Sequence, residues 1–416
     1  MKVLVVLQFY IEGSGSGVYS SNIARELLSA GHEVRMIVAE NVADLEAHAR
    51  SYILPTRSIL FDSEGKGRGD LNFNVPYFTT HPRSATTFLE LPDNDLSCYV
   101  DVLGNVLQDE IVKFSPDIVH CQHASIFAYH LSKLRVPYVI TLHGTDIMGF
   151  QNDSRIRDMV MKGVNGAYRL VSISQHVSEE AKALFKVADE HIVLIQNGYD
   201  ENVFFARNVA REQILEKLRV QQTQPLLGDS EQHVVSFVGK LAPFKGIDVL
   251  IRAAAIYEKE LPNTITLITG QGQLHAELEE LVKAVGAKGV HFLGHRNQNE
   301  VAEIYTIADV STVPSRHEPF GLVALEAMAC GTPVVATAGG GLVDFVDERV
   351  GALVAIDDEK ALAHAIILEL KSKSKLTKGA FAAKYVREKF SGWKLTVENL
   401  SSLFNSAIEE SLHPSF

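Results

Sequence analysis

Cysteine is scarce in this 416-residue chain: Cys98, Cys121 and Cys330 lie far apart and form no C-x-x-C pair. That spacing gives no zinc ligand set and suits a reducing compartment better than a disulfide-stapled fold. Long apolar runs are missing too. No segment approaches the roughly 20 residues of a membrane-crossing helix. The opening MKVLVVLQFY carries one cation and an apolar run that stops at Gln8. It lacks the features of a secretion signal and reads as a buried strand. Nor is there an excess of positive charge: 39 Lys and Arg face 51 Asp and Glu, a formal net charge of −12. Binding a phosphate backbone wants a basic surface, so nucleic acid is not the expected partner. Docking on an anionic membrane is disfavoured for the same reason, and the lysines from Lys371 to Lys378 read as a solvated helix end. A cytoplasmic protein without a transmembrane segment is the expectation.

What the chain does have is alternation. Short β-branched runs at 3–7, 34–38, 118–121, 138–142, 170–173 and 192–195 are separated by helical patterns, and a second series follows at 234–238, 264–269, 290–293, 310–313 and 333–336. Near-continuous apolar strands between helices indicate parallel sheets covered on both faces. The fold class is therefore α/β, with two doubly wound Rossmann-like domains. A short amphipathic helix over 213–220 leads into QQTQPLLGDSEQ, which has linker chemistry. The expected domains are 1–205, joined by a closing helix in 392–416, and 206–391. Residues 58–93 fit neither pattern, with Gly65, Gly67 and Gly69 ahead of Phe73, Tyr77 and Phe78. A substrate-facing loop is expected there.

Three stretches carry chemistry. The first strand runs into IEGSGSGVYSSNIARELL, where Gly15 and Gly17 precede or open a helix. Free N–H groups at a helix start suit an anion. With Glu40 at the end of the second strand, the run is also a partial dinucleotide fingerprint, although Ser20 stands where a third small residue belongs. The second domain opens with VVSFVGKLAPFKGIDVLIRAA. Gly239 and Lys240 end a strand, and Lys245 stands before the next helix. Two lysines at the carboxyl end of a parallel strand can converge on a diphosphate; taken alone, each could be an ordinary exposed loop lysine. Third, HEPFGLVALEAMACG sets Glu318 on a loop and Glu326 inside a short helix that starts at Gly321 and ends at Gly331. The outward N–H groups at that helix start and the two carboxylates offer donors for phosphate beside acceptors for hydroxyls. A sugar nucleotide carries both kinds of group.

The spacing Glu318-x7-Glu326, within PSRHEPFGLVALEAMACGTPVVAT, resembles the E-x7-E signature of the retaining glycosyltransferases of family four. GKLAPFKGIDVLIRAA, GQGQLHAELEELV, VHFLGH and ADVSTVPS stand in that family's order, while PDIVHCQH, TLHGTDI and QNGYDENVF agree more loosely. The resemblance implies the GT-B fold, with a cleft between the domains that closes over the donor and a C-terminal helix that crosses back to the first domain. Lys240, a mild departure from the arginine of many relatives, and Lys245 would bind the donor diphosphate. Glu318 would accept bonds from sugar hydroxyls, and Glu326 would hold the ribose. Backbone amides from Phe320 through Gly321, Leu322 and Val323 would add phosphate contacts, with Gly239 beside them. The base would rest near His295 and Arg296. Gly15 and Gly17 would face the phosphate or acceptor from the first domain. His143 in TLHGTDI would sit near the anomeric centre, so His143, Lys245 and Glu318 form the implied catalytic set.

No cofactor and no metal is required by this chemistry. Asp93-x-Asp95 imitates a metal motif but reads as a helix start with Asp93 or Asn94 as cap. The expected substrates are a nucleotide sugar, UDP-linked, and a small polar acceptor such as malate, inositol phosphate or an aminocyclitol, with lipid and glycan acceptors left open. A homodimer is compatible with the sequence. Rival readings are a sugar-nucleotide epimerase on the same scaffold, a non-catalytic sugar-nucleotide binder, and an NAD-dependent oxidoreductase built on Gly15, Gly17 and Glu40.

Overall fold

The structure, a computed structural model, describes residues 1–45, 54–79, 81, 83–84, 86–218, 232–373 and 375–413. Most of the linker sequence QQTQPLLGDSEQ lies outside the described residues. The chain divides into two compact units, Met1–Asn197 with Trp393–Phe416, and Gly198–Gly392. Each unit is a parallel sheet.

In the first unit the strands are β1 (Lys2–Val6), β2 (Glu33–Asn41), β3 (Thr56–Phe61), β4 (Ile118–Gln122), β5 (Tyr138–Leu142), β6 (Leu170–Ser172) and β7 (Ile192–Leu194). Their order is β3-β2-β1-β4-β5-β6-β7. Val3 to Val6 have no exposure at all, because β1 lies in the middle of the sheet with helices over both faces; its unbroken apolar run needs that double cover. The closing helix Gly392–Leu412 belongs to this unit from Trp393 onward. Trp393 packs edge-on against Tyr19, and Phe404 packs against His120.

The second unit holds β8 (His233–Val238), β9 (Thr264–Thr269), β10 (Val290–Gly294), β11 (Val310–Val313), β12 (Val334–Thr337) and β13 (Gly351–Val354), in the order β10-β9-β8-β11-β12-β13. Helices Ile247–Glu260 and Glu359–Lys371 share one buried cluster with this sheet, including Leu250, Tyr257, Ile268, Val335 and Ile366. In both sheets the strand order reverses beside the first strand, between β1 and β4 and between β8 and β11. Crevices at the carboxyl ends of strands form at such reversals and are where α/β sheets take their ligands.

Two strands were not expected, β3 and β13. β3 occupies the start of the segment assigned to a substrate loop; residues 63–68 after it are exposed, and parts of the remainder are packed. Leu71 bridges back to Phe61, and Tyr77 bridges to Thr87. Tyr77 and Phe78 are buried, Tyr77 stacking on Phe9 at 4.5 Å and Phe78 meeting it edge-on at 5.4 Å. Burial of those rings gives the irregular chain a core role.

Candidate functional site

In the second unit the exits of β8 and β11 meet at the reversal point. After β8 the chain turns through Pro243–Lys245 and enters the helix Ile247–Glu260 at Gly246. Gly246 has φ +64°, and a β-carbon there would stand 2.0 Å from the Pro314 carbonyl oxygen. Only glycine lets the lysine-bearing turn lie this close to the exit of β11. The Arg316 amide donates to the Phe244 carbonyl at 2.8 Å, and its guanidinium donates to the Pro243 carbonyl at 2.5 Å and to both Asp248 oxygens at 2.9 and 2.7 Å. Its Nε donates to Asp357 at 2.6 Å. Arg316 thus clamps the Glu318 loop to the Lys245 turn. From the far side the Gly341 amide donates to the Glu318 carbonyl at 2.8 Å.

Between these fixed loops the Lys245 ammonium donates to Glu318 Oε2 at 2.6 Å, and the Ser315 hydroxyl donates to the same oxygen at 3.1 Å. The two paired side chains are 18% and 9% exposed, respectively. Lys240 stands close enough to feel Lys245. Burial first, and then the neighbouring ammonium, push its pKa down to about 8, and no carboxylate among the described residues opposes them. The unit therefore presents one cation already neutralised and one that is not. Gly239 ends the strand half-buried, its amide donating to the Thr269 carbonyl at 3.0 Å.

The helix Leu322–Ala329 starts at Gly321, whose φ of +101° and contact with Leu342 require the missing side chain. Leu322 and Val323 are half-buried, and their N–H groups open the helix where no preceding turn supplies carbonyls. The Phe320 ring itself is core, packed on Phe345 and Phe390, so only its backbone can serve a ligand. Glu326 is enclosed although its side chain keeps some access. Burial, then the Asp200 charge, raise its pKa to about 8, and nothing among the described residues lowers it. A carboxyl held this way lacks a donor. At the end of β10, His295 is exposed, while Arg296 pairs with Glu300 at 3.5 Å.

The reversal point of the first unit carries the other expected residues. Ser14 caps the helix Gly15–Ser29 by accepting from the Gly17 amide at 3.0 Å. A β-carbon on Gly17 would lie 1.7 Å from the Ile11 carbonyl oxygen. That close approach requires glycine there, and the Gly17 amide is engaged by the cap. Gly15 is exposed with open space above it. His143, 8% exposed, follows β5, its Nε2 2.9 Å from Gln122 Oε1. Its ring sits 4.7 Å from that of His123 and 5.0 Å from that of Tyr19. Burial, then His123 and His120, hold its pKa well below the usual histidine value, so the ring is neutral. Asp146 carries the turn by accepting from the Ala124 amide at 3.0 Å and the His143 amide at 3.2 Å.

Two expectations are corrected. Glu40 is buried and ion-paired to Arg83, which also holds Asp44 at 2.9 Å. A carboxylate committed in this way cannot be the ribose-binding acid of a dinucleotide fold, and the NAD reading loses its anchor. Neither Asp93 nor Asn94 caps the helix Asp93–Phe114: Pro92 is the cap residue, and Asp93 binds Arg155 at 2.7 Å. The motifs could not show three further groups, namely Ser315, Arg316 and the buried histidine pair His120 and His123. The contacts of Arg316 and of the histidines lie far away in sequence, and Ser315, only three residues from Glu318, meets its carboxylate through the shape of the loop.

The family model described as glycosyl transferases group 1 matches residues 220–385, and that of glycosyltransferase family 4 matches residues 13–203. An uncharacterized glycosyltransferase of Methanocaldococcus jannaschii is 32% identical over 349 residues, spanning 82% of this chain and 80% of that protein. The N-acetyl-alpha-D-glucosaminyl L-malate synthase of Bacillus anthracis is 26% identical over 383 residues, or 90% and 89% of the two chains. Among solved structures, Anabaena HepE in complex with UDP-glucose superposes with a TM-score of 0.75 at 20% identity, covering 98% of this chain and 100% of that one. The last likeness speaks for the fold.

Proposed function

The chain belongs to the family-four glycosyltransferases of group 1, and from that premise we propose that it is a retaining transferase. It moves a hexose or N-acetylhexosamine from a UDP-linked sugar to a hydroxyl of a small polar acceptor. The observation that carries this reading is the grouping of Lys240, Lys245 and Glu318 at the strand-order reversal of one Rossmann-ordered sheet. Cations for a diphosphate and a carboxylate for sugar hydroxyls are the two recognition elements a sugar nucleotide demands.

In the proposed reaction the bond from the anomeric carbon to the leaving phosphate oxygen breaks, and one to the acceptor oxygen forms on the same face. The acceptor proton passes to the departing phosphate oxygen. Lys240, Lys245 and the opening amides at Leu322 and Val323 stabilise the charge that grows on the diphosphate. Glu326, lacking a donor of its own, suits a ribose hydroxyl. His143 is neutral and offers a hydrogen bond or its backbone carbonyl to the reacting centre, not a charge. Residues near His295 and Arg296 would border the base. No metal or cofactor enters this scheme. The malate synthase relative supports an acceptor of that small polar size. Among the described residues no helix is long and apolar enough to cross a membrane, in keeping with the cytoplasmic site we assign.

The test has two stages. Thermal-shift titration with UDP, GDP, ADP and NAD finds the nucleotide, and a sugar-nucleotide panel with and without acceptors separates transfer from epimerisation. Lys245→Ala and Glu318→Ala should each cut transfer by about a hundredfold or more, the scale of losing a group that stabilises developing charge. Undiminished turnover in either variant refutes the site.

A further inference from the structure

Resting on that reading of the donor site, we infer that Glu318 is a built-in competitor of the donor's diphosphate. Its carboxylate holds the Lys245 ammonium while the site is free, yields it when sugar hydroxyls arrive, and reclaims it once the sugar has been transferred. The geometry leaves little alternative. The pair is 2.6 Å apart and largely buried, and Ser315 is the one further donor to Glu318 Oε2 among the described residues. Neither loop is free to draw back. Gly246 presses the lysine turn onto Pro314, a β-carbon on Gly340 would lie 2.0 Å from the Glu318 carbonyl oxygen, and Arg316 ties both loops together.

Consider the two ligands that the site must tell apart. A nucleoside diphosphate offers Lys245 a new anion but gives Glu318 nothing, stranding an enclosed carboxylate beside one serine hydroxyl. Breaking a buried pair by taking one partner is costly. A sugar nucleotide supplies the same anion together with hydroxyl donors, so both halves of the pair find partners. The substrate is therefore favoured over the product nucleotide, and re-formation of the pair after transfer helps to expel that product. Lys240 has no such internal carboxylate among the described residues and grips the diphosphate before and after the reaction alike. The two lysines are thus unequal: one anchors and the other switches.

Isothermal titration of UDP, GDP and ADP, and of UDP-glucose and UDP-N-acetylglucosamine, tests the idea on wild type, Glu318→Gln, Lys245→Gln and the double variant. Glutamine keeps the size of the side chain and a partner for Ser315 while removing its charge. Nucleoside diphosphate affinity should rise about tenfold in Glu318→Gln, a modest coupling for close charge pairs. The sugar nucleotide should not gain, so the wild-type preference for it disappears. In the Lys245→Gln background the Glu318 substitution should do nothing to the nucleoside diphosphate. Unchanged or weakened nucleoside diphosphate binding in folded Glu318→Gln overturns the inference while leaving the donor site standing. Failure of all three nucleotides to bind wild type overturns both. Should Glu318→Gln not fold, Glu318→Ala decides: it must bind the nucleoside diphosphate more tightly than wild type, and unchanged or weaker binding overturns the competition.

Discussion

Nucleotide affinity should fall as pH rises from 7 to 9, and Lys240 should be the reason. Its ammonium is half-enclosed and next to Lys245, and the two effects bring its pKa to about 8 in the free protein. The charged fraction is then about 90% at pH 7, about half at pH 8 and about 9% at pH 9. A bound diphosphate demands the charged form and raises that pKa, so affinity follows the charged fraction of the free protein and drops about tenfold over the window. The Lys240 contribution at pH 8 is an uptake of about half a proton, so wild type should take up about half a proton more on binding than Lys240→Arg, a difference that titration in buffers of different ionisation enthalpy reads. Glu326 titrates in the same range but with the opposite sign. Its pKa of about 8 means that a better ribose acceptor appears as pH rises. Lys240→Arg separates the two, because arginine keeps its charge; its affinity should be flat or rise from pH 7 to 9. A pH profile of Lys240→Arg that parallels that of wild type refutes the assignment.

Arg316→Ala should lower kcat/KM about tenfold or more through loss of loop registry, and Arg316→Lys should not rescue it, since a point charge cannot reproduce the forked contacts to Asp248. Steady-state kinetics on the three proteins decides. Gly17→Ala should destabilise the protein by about 2 kcal/mol or more, because its β-carbon would collide with the Ile11 carbonyl; a melting profile equal to wild type would contradict the packing account. Acid should weaken the first unit. Burial holds His120 and His123 at pKa values of about 3, so the folded state refuses a proton that the unfolded chain takes up below 6.5. Stability from each is intact above that pH and falls on acidification toward 3, by about 2 kcal/mol at pH 5. Asp146, raised by burial to about 6, works the other way and returns part of the loss. Urea midpoints at pH 7 and 5 should therefore differ less in His120→Gln than in wild type.

The sheets were legible because buried parallel strands must be apolar throughout, as Val3 to Val6 are. β13 escaped notice because Gly351–Val354 is a four-residue edge strand that opens on a glycine and is only partly buried at Ala352 and Leu353. The segment after β3 escaped because it packs through stacked rings such as Phe9 and Tyr77 rather than by any periodic pattern. Of the site, the positions of Lys240, Lys245 and Glu318 could be read from local motifs. The ion pair could not, since its members are 73 residues apart and meet only through the strand order. Gly17 was legible only in part. A glycine before a helix invites a ligand-binding reading, and only coordinates reveal the neighbouring carbonyl that forbids a side chain.

The first unit is interrupted in sequence: it runs to Asn197 and resumes at Trp393. Trp393 and Phe404, which cover Tyr19 and His120, and Thr396, which donates to the Gln196 carbonyl at 3.0 Å, all belong to the resumed segment. On the ribosome, then, the opening half of the polypeptide must wait with that face uncovered while the intervening unit is translated. Removing the final helix leaves the earliest-made part of the molecule unfinished.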